Sequence, residues 1–138
     1  MRVSTKGRYA LRLMLDLAGA GSGEYVSLKD ISARQGVSIK YLEQIASQLC
    51  KAGFLKSVRG PQGGYMLSKE PAQYTVGSIL RVTEGSLSPV ACIEDEPNQC
   101  PRRSICPTLG FWQGLRDAVN QYVDGCTLQN LMDSGQNI

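Results

Sequence analysis

Residues 27–67 read SLKDISARQGVSIKYLEQIASQLCKAGFLKSVRGPQGGYML, and this stretch decides the fold. Ser27 followed by Asp30 forms a capping pair that opens a short helix, Leu28 to Arg34, and Gly36 supplies the left-handed residue of a tight turn. Ser38 is a second N-cap. The helix it starts carries Leu42, Ile45, Ala46 and Leu49 inward and ends at Gly53, leaving Lys40, Tyr41, Gln44 and Ser47 on other faces. Helix, glycine turn and second helix make the helix-turn-helix pattern, whose second helix lies in a DNA major groove. Phe54 to Val58 then reads as a strand, Arg59 to Gly64 as a turn and Tyr65 to Leu67 as a return strand. That is a β-wing with Arg59 at its tip.

Upstream, Ala10, Leu13, Met14, Leu17 and Ala18 follow the i, i+3, i+4, i+7 spacing of an amphipathic helix from Thr5 to about Ala20, stopped by Gly19, Gly21 and Gly23. Downstream, Pro71 marks the exit from the wing, and Thr75 caps a helix through Val76, Ile79, Leu80 and Val82 to Gly85. Residues 86–106 break all periodicity, and a structureless loop of roughly twenty residues in a small domain points to function. It holds Pro89, Pro97, Pro101, the acidic run Glu94-Asp95-Glu96, and Cys92, Cys100 and Cys106. Leu109, Trp112, Leu115, Val119 and Tyr122 then recur at three- and four-residue steps, followed by Gly125 and a short Leu128/Leu131 segment. The expected fold is mostly α with a small β-wing. A winged helix-turn-helix domain spans 1–85, a cysteine-bearing loop 86–106, and a dimerisation helix with a C-terminal tail 107–138. The last helix has more apolar surface than a winged domain covers, which predicts a two-fold homodimer with two recognition helices on DNA half-sites.

The chain has 138 residues and a net charge of +3, with five cysteines and no histidine. Residues 1–70 hold 11 Lys/Arg against 5 Asp/Glu, and residues 71–138 hold 4 against 7, so a head at +6 adjoins a half at −3. A basic half of this kind meets a polyanion, and double-stranded DNA is the leading partner. The missing histidines exclude Ser-His-Asp and Cys-His catalysis and any His-bearing metal site. No base or phosphate-cradling loop accompanies the thiols, so the chain is not expected to be an enzyme. Arg12 and Asp16 interrupt the N-terminal apolar run, and nothing approaches the ~20 apolar residues of a membrane span. A cytoplasmic protein is expected, in which an odd number of cysteines argues against a disulfide framework.

On the recognition helix, the Gln44 amide can pair bidentately with adenine. Ser38 and Tyr41 offer hydroxyls and Lys40 adds charge for phosphates. Arg59 on the wing suits a narrow minor groove. The three loop cysteines follow C-x7-C-x5-C, which is poor for zinc and compatible with an iron–sulfur cluster held by three thiolates and one unusual ligand. Cys50 and Cys126 read as small buried hydrophobes.

Ser4-Thr5-Lys6-Gly7-Arg8-Tyr9-Ala10, Tyr41-Leu42-Glu43-Gln44, the wing Ser57-Val58-Arg59-Gly60-Pro61-Gln62-Gly63-Gly64-Tyr65 and the cysteine triad together resemble the IscR-like winged-helix iron–sulfur transcriptional regulators, a family that also includes NsrR, RirA and CymR. The resemblance runs to about residue 132. It implies a homodimeric transcription factor whose DNA-reading positions fall on Ser38, Lys40, Tyr41, Glu43, Gln44 and Arg59 and whose cluster ligands fall on Cys92, Cys100 and Cys106. Two departures stand out. Leu109 occupies the place where IscR-like members close a 2Fe–2S cluster with histidine, and Arg8 lies near the place where NsrR-like members offer an aspartate. The longer first cysteine spacing is that of members able to hold a 4Fe–4S cluster, while the IscR-like N-terminal half favours 2Fe–2S. A carboxylate, another cysteine, water or a small molecule must then supply the fourth ligand, and Glu43 heads that list because binding iron would withdraw it from DNA. The resulting expectation is a repressor of iron–sulfur cluster biogenesis genes controlled by its own cluster. The alternatives are a nitric-oxide or iron-responsive repressor, or a clusterless CymR-like regulator gated by a protein partner.

Overall fold

A computed structural model describes residues 2–21 and 23–135; Met1, Ser22 and residues 136–138 of the expected tail lie outside the described residues. Among the described residues, six helices and one two-stranded antiparallel sheet follow in chain order: α1 (Thr5–Gly19), α2 (Leu28–Gln35), α3 (Ile39–Lys51), β1 (Leu55–Val58), β2 (Gly64–Leu67), α4 (Val76–Glu84), α5 (Leu109–Asp124) and α6 (Leu128–Gly135). Single 3-10 turns occupy Pro71–Gln73 and Ala91–Ile93. This is the expected mostly α winged-helix architecture, and no described helix is long and apolar enough to cross a membrane.

The helix starts have one shared cause. Ser4, Ser27, Ser38 and Thr75 each accept a bond from the backbone N–H three residues on, at 3.2, 3.2, 3.1 and 3.0 Å. Each satisfies a donor that the helix leaves without a partner. Gly36 closes α2 at φ +67° and makes the tight turn into α3. Ala10, Leu13, Met14 and Leu17 of α1 meet Ile31 of α2 and Leu42, Ile45, Ala46 and Leu49 of α3 in one core. The wing pairs Leu55 with Leu67 and Ser57 with Tyr65, and its base is tied to Val26, which exchanges two 2.8 Å bonds with Tyr65. At the wing exit the buried Tyr74 hydroxyl donates to the Phe54 carbonyl at 2.7 Å and accepts from the Ser68 and Lys69 N–H groups at 3.0 and 3.1 Å.

The C-terminal third departs from the expected stripe. Tyr122 is 80% exposed, because the inward position after Val119 falls to Val123, four residues on and on the same helix face. Val119 and Val123 pack on Val76, Leu80 and Leu87, yet no residue of α5 is fully buried, and Phe111 is 65% exposed. After Gly125 the chain returns to the head instead of trailing away. The Val76 N–H donates to the Cys126 carbonyl at 2.8 Å, the Leu128 N–H donates to the Tyr74 carbonyl at 2.9 Å, and Leu128 enters the main core. The segment 107–135 therefore contains one outlying helix and one that completes the head.

A polar network fixes α1 to α2. Arg34 donates to both Asp16 carboxylate oxygens, at 3.1 and 2.6 Å, and Gln35 donates to the same carboxylate at 2.9 Å. Burial works to raise the Asp16 carboxyl pKa, but the hydrogen bonds from Arg34 and Gln35 and the Arg34 charge outweigh it and hold the group below its ordinary value. A depressed folded value stabilises the protein above the unfolded pKa of about 3.9, and that contribution is lost as the pH falls through the folded value. Asp16→Asn is expected to cost about 2 kcal/mol at neutral pH. In urea titrations the gap from wild type should narrow below about pH 4. A gap that persists there would assign the loss to something other than the charge.

Candidate functional site

The periodicity that buries Leu42, Ile45, Ala46 and Leu49 of α3 turns Lys40, Glu43, Gln44 and Ser47 outward, and all four are exposed. Ser38, at the N-cap, is exposed too. Its Oγ accepts from the Tyr41 N–H at 3.1 Å, which leaves its own O–H free to donate to a phosphate. Tyr41 differs from its neighbours. It is half-buried, with its ring 5.8 Å from that of Tyr9 and edge-on to it, so the ring is committed to α1. The Arg12 guanidinium lies 5.1 Å from the Tyr9 ring centroid and donates to the Gln35 carbonyl at 2.5 Å.

Arg59 is exposed where the wing turns. The Gly63 N–H closes that turn on the Gly60 carbonyl at 2.9 Å, and Gly60 takes φ +109°. A methyl group at Gly63 would overlap the Val58 carbonyl, so the tip cannot carry a side chain there. Among the described residues neither Lys40 nor Arg59 makes an ion pair, and both cations remain available to an outside anion. Beneath this face, burial and then the nearby Cys50 and Glu43 push the Tyr65 phenol above its ordinary pKa.

The loop thiols are arranged separately. Cys92 is exposed in the 3-10 turn, whose Ile93 is buried; Cys100 and Cys106 are half-buried, and all five cysteines are free thiols. The Cys100 carbonyl accepts from the Arg103 backbone N–H at 3.1 Å and from its guanidinium at 3.0 Å. Cys106 stands at the foot of α5 with Sγ 3.4 Å from the Thr108 hydroxyl. Hydrogen bonds from the Thr108 hydroxyl and N–H lower its pKa against an opposing burial effect, helped by one from the Leu109 N–H and by the Arg102 charge. Among the described residues no three metal-ligating side chains come together in one chain. Glu43 joins no such group, and α3 holds it on the outward face with Lys40 and Gln44. Cys50 is half-buried, pushed up by burial despite a bond to Ser57, and Cys126 packs on the α4 cluster.

Two features of α4 carried no signal in the spacing of the sequence. Glu84 accepts from the Ser4 backbone N–H at 2.8 Å and from its hydroxyl at 2.5 Å, and a methyl group at Gly7 would overlap the Glu84 carboxylate. That contact explains a glycine in the first turn of α1. Arg81 reaches α5, where it bonds Asp124 and Asn120.

The Rrf2 family model, described as iron-dependent transcriptional regulator, matches residues 3–134. The HTH-type transcriptional regulator CymR of Bacillus subtilis is 44% identical over 131 residues, covering 95% of this chain and 89% of that protein. The HTH-type transcriptional regulator IscR of Aliivibrio salmonicida is 41% identical over 132 residues, covering 96% and 77%. The solved structure of CymR, the global cysteine regulator of B. subtilis, superposes with a TM-score of 0.79 at 41% identity, covering 97% of this chain and 98% of that one. These relatives are transcriptional regulators and not enzymes, and they share the helix-turn-helix and wing described above. The chain belongs to the Rrf2 family of DNA-binding transcriptional regulators.

Proposed function

We propose that the chain is a repressor that binds its operator as a homodimer and is controlled by an iron–sulfur cluster, with iron–sulfur cluster biogenesis genes as targets. The observation that carries the DNA reading is the exposed set Ser38, Lys40, Glu43, Gln44 and Arg59, two cations of which lack an ion-pair partner among the described residues. In this reading Gln44 and Glu43 face base edges, Ser38 and Lys40 hold phosphates, the Tyr41 ring orients the helix, and Arg59 enters the minor groove. Residues 1–85, completed by α6, form the reading head, 86–106 the sensing loop and α5 the dimer contact.

The donor set fits a cluster in kind. Cys92, Cys100 and Cys106 are three free thiols on one segment, and the environment of Cys106 favours its thiolate. These residues would hold the cluster, which supplies a state that changes with iron, oxidants or nitric oxide. The fourth ligand comes from outside the triad. Glu43, outward-facing on α3, heads the candidates for it and is offered from the partner subunit. A 2Fe–2S cluster is favoured over 4Fe–4S by the IscR-like head. One observation supports a second, clusterless reading gated by a protein partner: CymR is as similar to this chain as IscR, and the thiols are not assembled.

Anaerobic purification with iron, sulfide and protein quantitation, followed by selection of duplexes from a random library, tests both halves. Stoichiometric sulfide and recovery of an inverted repeat support the proposal. A colourless protein that still selects an inverted repeat favours the clusterless reading, and a protein that selects no duplex overturns the interface. For the dimer, Phe111→Glu should weaken self-association by about 2 kcal/mol, roughly thirtyfold, in sedimentation equilibrium. An unchanged association would place the contact elsewhere.

A further inference from the structure

We propose that Arg81 is a positioning residue that sets the angle between α5 and the reading head, and through it the half-site spacing that the dimer accepts. This rests on the dimeric DNA-binding reading above. The apolar contact of Val119 and Val123 with Val76 and Leu80 is non-directional and by itself leaves the roll and slide of one helix on the other unspecified. Arg81 removes that freedom. Its Nη1 donates to Asp124 Oδ1 at 2.6 Å and its Nη2 donates to Asp124 Oδ2 at 3.1 Å and to Asn120 Oδ1 at 2.9 Å. A planar guanidinium joined to two residues one helical turn apart fixes both roll and tilt, which a single contact would not.

Gly77 makes the clamp possible. A methyl group there would overlap Asp124 Oδ1 and lie 2.9 Å from both Arg81 Nη1 and Val123 Cγ2. Just beyond α5, the bond from the Val76 N–H to the Cys126 carbonyl pins the chain, so the clamp acts beside a fixed pivot. Glu84, one turn further along α4, holds Ser4 at the start of α1, so α4 passes the angle to the head. The Arg81 and Asp124 side chains are 36% and 45% exposed. Such a half-exposed pair adds little to stability, and its use is geometric.

The geometry is sensitive enough to matter. Over a sixteen-residue helix about 24 Å long, a tilt of about 8° displaces one end by about 3.4 Å, the rise of one base pair. One base pair also turns the half-site by about 35° around the duplex.

The test uses the full-length chain purified anaerobically and inverted repeats of the half-site that wild type selects, with spacers shortened and lengthened by one and two base pairs. Wild type is expected to prefer one spacer by about tenfold over its neighbours, and Arg81→Ala to reduce that preference below about threefold. Dimer mass and half-site base preference stay unchanged. Asn120→Ala, which removes one bond of three, should give an intermediate profile and carries the test if Arg81→Ala is poorly folded. A wild-type spacer profile retained in both variants, or affinity lost equally on every spacer, overturns the inference while leaving the dimeric reading intact. A wild-type chain without any spacer preference overturns both.

Discussion

Gln44→Ala will lower affinity for the selected operator by about 10- to 100-fold and leave affinity for unrelated duplex DNA nearly unchanged, so that base preference collapses at one position of each half-site. Gln44 lies on the outward face of α3 between Lys40 and Ser47, between one and two turns from the capped N-terminus. It is exposed, and its amide offers a donor and an acceptor side by side, the pattern that adenine completes in the major groove. Losing that pair costs about 1–3 kcal/mol at the cognate base and nothing on random sequence, where it never forms. Lys40→Ala and Arg59→Ala should behave differently. Each removes a cation with no ion-pair partner among the described residues, so each weakens specific and nonspecific binding alike and reduces the salt slope by about one. Fluorescence anisotropy over a salt series on cognate and scrambled duplexes separates the two behaviours. A uniform loss for Gln44→Ala with a base-specific loss for Lys40→Ala would mean that α3 enters the groove in another orientation.

The head was legible because its signals are local. Ser27, Ser38 and Thr75 cap helices through bonds spanning three residues, Gly36 turns where a left-handed residue is needed, and the inward positions of α3 follow its period without exception. Tyr41 was harder to place, since its side chain is decided by Tyr9 on another helix, an edge contact that spacing does not encode. Tyr122 was misplaced on the buried stripe because the steps from Leu109 admit either Tyr122 or Val123, and only the position of α4 selects valine. The α4 contacts of Glu84 with Ser4 and of Arg81 with Asp124 span 80 and 43 residues, beyond any periodicity. The glycines at 7 and 77 were their only trace, each marking a place where a side chain of another segment occupies the room of a methyl group. The cysteine loop gave up its ligand types and not its geometry, because three-residue turns such as Ala91–Ile93 carry no period to read. Glu43 was legible as an exposed position of α3, and its parts on DNA and in the cluster are proposals that this outward placement supports.

On the proposed cluster reading, Cys106→Ala will abolish the visible absorption and acid-labile sulfide of the anaerobically purified protein, whereas Cys50→Ala and Cys126→Ala will leave both in place. The distinction follows from environment and not from cysteine chemistry alone. Cys50 is half-buried under the wing with its pKa raised by burial, and Cys126 packs on the α4 cluster, so both serve as small packing groups. Cys106 sits where Thr108 and the first N–H of α5 stabilise negative charge, and metal binding needs the deprotonated form. Losing a ligand removes the bond itself, whereas Thr108→Val removes only the hydroxyl partner at 3.4 Å and should lower cluster retention by about tenfold. Since α5 begins three residues after this thiol and carries the exposed Phe111, a cluster drawn together around Cys106 would order the loop beside the proposed dimer contact, and its loss should loosen self-association as well as colour. Sedimentation of the Cys106→Ala protein beside the anaerobic wild type reads that coupling. Sulfide retained in Cys106→Ala would remove the residue from the ligand set, and equal association with and without the cluster would confine its effect to the loop.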